Sequence, residues 1–255
     1  MTENHDRAIL RDLVKRYLDV AARPGQNDLR RRWADHNSLV PGRPLVLVTF
    51  GMWNVWCRET FPPESLQCRD EVLRSHEQSL RLALFHATIG DDWIFEPFLI
   101  SRACVITPPE GVWGVATDCR QPGVEGGAYA LQPPLRELRD MERLVPPHHR
   151  IDEAATAINL GRLRDAVGDL IEIDLNRGPA YAHFNGDIST QLIRLRGLDQ
   201  VMLDMYEDPA GLHRLLAFMR DGILRAQDEA EAAGDYSLTC HDNQALPYAR
   251  ELERL

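Results

Sequence analysis

A chain of 255 residues, 44% of them hydrophobic, is long enough to fill one large α/β core or two small ones. Its formal net charge of −10 argues against a general nucleic-acid or anionic-membrane binder, since both need a positive field. Lys15 is the only lysine, which argues against a Schiff-base aldolase, a pyridoxal-phosphate enzyme and a P-loop nucleotidase, each needing a lysine at its reaction centre.

Residues 6 to 22 carry Ile9, Leu10, Leu13, Val14, Tyr17 and Leu18 at helical spacing, and Pro24 with Gly25 breaks that helix. A second, strongly charged helix runs from Asn27 to His36, where Arg30, Arg31 and Arg32 are flanked by Asp28 and Asp35 and read as a solvated face rather than a phosphate site. The nearly continuous apolar run Leu45 to Phe50 suits a strand covered on both faces. A helix from Cys68 to about Thr88, with Val72, Leu80, Leu84 and Ala87 as packing positions, leads to a second strand candidate at Trp93 to Phe95. Leu99 to Thr107 and Val112 to Thr117 flank Pro108 to Gly111 and read as a hairpin. A short helix over Leu135 to Leu144, a break at Pro146 and Pro147, and a helix from Asp152 to Val167 precede a third covered strand, Leu170 to Leu175.

After Gly178 and Pro179, a helix from about Asp187 to Arg196 is punctuated by Gly197. Asp208 is a good N-cap with Pro209 at the first helical position, and Leu212, Leu215, Leu216, Met219 and Ile223 then mark a core-facing helix that Gly234 ends. Tyr236 to Cys240 reads as a further buried strand. Helix alternating with short covered strand is the pattern of a (β/α) barrel or an open parallel sheet, and no linker divides it. The organisation expected is a helical cap over residues 1–40 and an α/β barrel portion over 41–255.

No apolar run approaches a membrane span, and the N-terminus lacks a signal-peptide core, so a cytoplasmic protein is expected. Cys57, Cys68, Cys104, Cys119 and Cys240 contain no C-x-x-C pair and are expected mostly as reduced thiols in or near the core. Neither G-x-G-x-x-G nor G-x-S-x-G occurs.

Arg194, Leu195, Arg196 and Gly197, then Leu203 to Pro209, then Ala232 to Asp235 form a pattern, and "DHNSLVPGRPLVLV" from Asp35 to Val48 forms another. In both, the chain resembles the uroporphyrinogen decarboxylase and corrinoid methyltransferase superfamily, and the opening stretch is similar to its methyltransferase-like branch. The resemblance implies a TIM-type (β/α) barrel with N-terminal helices and a site at the C-terminal mouth of the strands. It also implies methyl transfer between a small methylated compound or thiol and a corrinoid (cobalamin) carried on a partner protein, often with Zn2+ held by a His-x-Cys pair and a distant Cys.

The chain departs from that family in several places. Gly51 to Cys57 reads "GMWNVWC" where the decarboxylases carry an arginine-rich motif, and Glu96 stands where they carry an aspartate. Cys240 and His241 are adjacent rather than spaced, and the family's C-terminal portion does not follow them. Four parallel-strand candidates, near residues 45, 94, 171 and 237, fall short of the eight a closed barrel needs, so an incomplete barrel is expected. Either its open edge is covered by the rest of a longer product or by a second chain, as in a homodimer, or the chain holds more strands than these four. The alternatives to a methyltransferase are a catalytically incomplete fragment or binding subunit and, last, a metal-free tetrapyrrole decarboxylase.

His241 and Asp242, at the expected strand end, are the leading chemical pair: metal ligand, general acid or substrate contact on one reading, hydrogen bonds to the next loop on the other. Cys240 would face away from His241 on an alternating strand, so both are weak metal ligands. Glu96 with Arg102 would hold a polar substrate or form a buried pair. Trp53 and Trp56, with Asn54 between them, would stack on a flat ligand or anchor the core. Asn185 sits where a barrel places ligand contacts, Asp187 beside it reads first as a helix N-cap, and His148 and His149 read as loop histidines.

Overall fold

The computed structural model describes residues 2–48, 59–120, 130–182, 185–237 and 248. These fall into two compact units, one formed by the described residues within 1–102 and 154–176 together with residue 248, the other by those within 103–153 and 177–237. The fold is mixed helix and strand with a small parallel sheet.

In the first unit, helix α1 (Thr2–Ala21) buries Leu10, Leu13 and Val14 against helix α3 (Glu71–His86) and helix α4 (Glu153–Val167). The expected apolar stripe of α1 is therefore its core face. Asp70 caps α3, accepting from Val72 N and Leu73 N at 3.0 and 3.1 Å. The buried positions of α3 are Leu73, Glu77, Leu80 and His86, so a carboxylate lies among its inward side chains. Strand β1 (Phe98–Arg102) pairs in parallel with strand β4 (Glu172–Asn176), in the register Leu99 to Ile173 and Arg102 to Asn176. Of the expected covered strand at 170–175, only part is covered: Ile171 is buried and Glu172 exposed.

Helix α2 (Gly25–Asn37) brings its arginines onto carboxylates: Arg30 onto Glu96, Arg31 onto Asp28 and Arg32 onto Asp92. Two strand expectations fail beside it, since the described part of the 45–50 run and residues 93–95 are irregular. Their pairing is diverted: Val46 N donates to Asp92 Oδ2 at 2.9 Å and Val48 N to Asp91 Oδ2 at 2.7 Å, so side-chain carboxylates take amides that a ladder would use. Val46 is also 57% exposed, not covered on two faces.

In the second unit the expected hairpin is replaced. Its first arm contains β1, whose partner is parallel; residues 104–106 meet 150–152 antiparallel through an isolated bridge from Val105 to Ile151. Its second arm is a core loop: Trp113 and Val115 are buried, and Trp113 Nε1 donates to Gln191 Oε1 at 3.1 Å. The antiparallel pair is instead strand β2 (Asp118–Arg120) with strand β3 (Ala130–Gln132). Helices α5 (Ile188–Arg196), α6 (Leu198–Glu207) and α7 (Pro209–Ala232) complete this unit. α7 begins as expected, with Asp208 accepting from Gly211 N at 2.8 Å, and Gly234 follows it with φ +71°. Tyr236 is 48% exposed and not in a strand.

Candidate functional site

The carboxyl end of a parallel pair is where α/β proteins expose unpaired backbone and place ligand contacts. Here that end carries Arg102 on β1 and Asn176 on β4, register partners whose side chains share one face with Asp174. Arg102 is exposed on that face. Sequence reading selected Arg102 but missed Asn176 and Asp174 as its neighbours, because register is a pairing between distant segments.

The cation set on Glu96 is Arg30, whose Nε and Nη2 reach Oε1 and Oε2 at 3.1 and 2.7 Å. One guanidinium thus spans both oxygens, the two-pronged geometry that fixes a carboxylate in place. Arg30 in turn is steadied by Asn27 Oδ1 at 2.8 Å. Burial, and next the charge of Glu96, push the Tyr17 phenol well above its ordinary range. Glu96 is built into a polar clamp between α2 and the segment before β1.

Asn185 accepts from Arg194 Nη1 at 3.4 Å. Asp187 is the N-cap of α5, accepting from Ser189 N and Thr190 N at 3.1 and 3.2 Å. The side-chain hydroxyls of Thr190 and Ser189 lower its carboxyl to about 2. Trp53, Asn54, Trp56, Cys240, His241 and Asp242 lie outside the described residues.

A second polar cluster was not expected from sequence. His149 Nε2 lies 2.8 Å from Asp235 Oδ2, and Ala180 N donates to His149 Nδ1 at 2.9 Å. An accepting Nδ1 carries no proton, so the ring is assigned the tautomer with its hydrogen on Nε2, directed at Asp235. Arg177 Nε donates to Asp235 Oδ1 at 2.6 Å, while its two terminal nitrogens hold Glu153 at 3.0 and 2.6 Å. Burial opposes ionisation of Asp235, but Arg177 and His149 outweigh it and hold the carboxyl below its ordinary value. Gly178 permits the approach, since a Cβ there would lie 2.7 Å from the Asp235 carbonyl oxygen. His148 and His149 do occupy a loop, but Glu229 anchors it through His148 Nδ1 at 2.7 Å and His149 N at 2.8 Å. Both nitrogens of His149 are engaged, so this network positions the chain after β4 rather than supplying a base.

The buried thiol of Cys68 is no nucleophile either. Burial and the adjoining Glu77 push it up to about 12. Glu77 accepts from Cys68 N at 2.7 Å and from Arg81 Nε at 2.9 Å, and so ties the turn before α3 into the core.

Among the described residues no three His, Cys, Asp or Glu side chains converge as a metal ion would require. No helix among them is long and apolar enough to cross a membrane. Comparison with known proteins finds no matching family model, no matching curated protein and no matching solved structure.

Proposed function

We propose that this chain binds a small polar molecule at the carboxyl ends of β1 and β4 and takes part in methyl transfer between that molecule and a corrinoid on a partner protein. The observation that carries the binding reading is the parallel register that sets Arg102 beside Asn176. An arginine at that position suits a carboxylate or another oxygen-rich group, the planar acceptors that a guanidinium pairs with best. Asn176 offers both a donor and an acceptor, and Asp174 on the same face suits a hydroxyl or an amine. The choice of methyl transfer rests on the resemblance at Arg194 to Gly234 and Asp35 to Val48, as does the finer architecture, a (β/α) barrel of which β1 and β4 are two staves. The roles proposed for Arg102, Asp174 and Asn176 are binding and orientation.

The test mixes the purified chain with cob(I)alamin and a panel of methylated amines, alcohols, thioethers and aromatic ethers, and follows methylcobalamin formation by its absorbance. Transfer from at least one donor is expected, falling at least about tenfold in Arg102→Ala with the far-UV spectrum unchanged. Absence of transfer from every donor would sink the methyl-transfer reading. Donor binding by calorimetry that survives Arg102→Ala and Asn176→Ala together would sink the site.

A further inference from the structure

Helix α6 is amphipathic in the wrong sense for a helix of a closed core. Leu198, Met202, Met205 and Tyr206 recur at the spacing of a buried stripe, yet they are 54, 63, 66 and 91% exposed. Leu203, at the margin of that stripe, is 50% exposed. The inward face carries Asp204, 3% exposed, which accepts from Arg196 Nε at 2.7 Å, Arg196 Nη2 at 2.8 Å and Gln200 Nε2 at 3.1 Å. Arg196 Nη1 also donates to the Leu135 carbonyl at 3.0 Å. Turning α6 to bury its leucine and methionines would strip Asp204 and Arg196 of each other, so the apolar stripe is locked outward.

The geometry points to a second copy of this chain as the partner of that stripe: α6 packs antiparallel on α6 of the partner subunit about a two-fold axis near Met202. The stripe is self-complementary, because an axis there sets Leu198 against Tyr206 of the partner subunit, at both ends alike. At roughly 200 Å² for a residue of this size, the exposed parts of the five side chains amount to about 600 Å² per copy. A two-fold pair would remove at most about 1,200 Å² from water, the lower end of specific interfaces. Glu207, beyond Leu203 on the helix surface, lies where an interface keeps its polar rim. Met202 and Met205 add flexible, polarisable side chains that fit one another without a preformed pocket.

Sedimentation equilibrium of the purified chain over a dilution series tests this. A reversible dimer is expected. Met202→Glu, which places two carboxylates face to face on the axis, should weaken it at least about tenfold. Ile158→Glu, a comparably exposed position on α4, should leave it intact. Met202→Cys should yield a disulfide-linked dimer on mild oxidation, as the axis brings the two copies of that position together. A chain that stays monomeric throughout, a dimer indifferent to Met202→Glu, or one equally disrupted by Ile158→Glu would overturn the inference. Circular dichroism of each variant separates loss of the dimer from loss of the fold.

Discussion

Helices α6 and α7 follow one another in the chain, carry similar apolar stripes and belong to the same compact unit, but they turn opposite faces inward. α7 buries Leu212, Leu215, Met219 and Ile223, whereas α6 buries Asp204 and leaves Met202 and Met205 in the open. Apolar burial yields about 25 cal/mol per Å² and can be satisfied on any apolar surface, including another molecule's. A carboxylate and a guanidinium already inside have no such choice. Separating Asp204 from Arg196 would leave one of them unpaired in a medium of low polarity, at a cost beyond what one more buried methionine returns. The group with the fewest acceptable partners sets the orientation of the helix.

Removing the constraint is the most severe way to break this contrast. Arg196→Ala strands Asp204 in the interior and should cost about 3–5 kcal/mol in urea unfolding. The double variant Arg196→Met with Asp204→Leu should regain most of that loss, because two apolar groups need no partners. If the single variant proves neutral, the pair does not hold α6.

The two methionines sharpen the comparison at constant chemistry. Met219→Ala, at a site with 0% exposure, should cost about 2–5 kcal/mol at every protein concentration. Met202→Ala should change monomer stability by less than about 0.5 kcal/mol and act only on association. Equal losses in dilute denaturation would mean that α6 buries its stripe within one chain.

The caps should matter less. Asp208→Ala, which removes the acceptor for Gly211 N, should cost about 1 kcal/mol and fray the start of α7 in amide exchange. The smallest effect is in acid. The Asp187 carboxyl falls from 3.8 to about 2 on folding, so the unfolded chain binds the proton more tightly. Its capping contribution is therefore complete above the unfolded value and fades as pH drops from about 4 towards 2. Asp187→Asn keeps an acceptor at the cap but has no proton to gain, and should flatten that limb of the exchange profile of α5.

What was legible in the sequence was local. The stripe of α1, the caps Asp187 and Asp208, the stop at Gly234 and the core face of α7 all depend on contacts within a few residues, and spacing plus capping chemistry encode them. The strands were read less well. The 45–48 run has strand composition, but Asp91 and Asp92 occupy the amides a neighbouring strand would need. Trp113 and Val115 fill a core from a loop, which alternation alone cannot distinguish from a strand.

The site follows the same division. Arg102 could be named as a cation close in sequence to Glu96, yet its neighbour Asn176 is 74 residues away and is specified only by the β1–β4 register. His149 has the composition of a loop residue, and only the folded chain joins it to Asp235 and Ala180. By itself the sequence determined where most of the helices lie, α6 at Leu198–Glu207 excepted, and which face of most of those is apolar, because such properties are set within one or two turns. Tertiary structure alone decided which carboxylate meets which cation, which strands pair, and that α6 presents its apolar face outward, because each depends on a partner brought together by the chain as a whole.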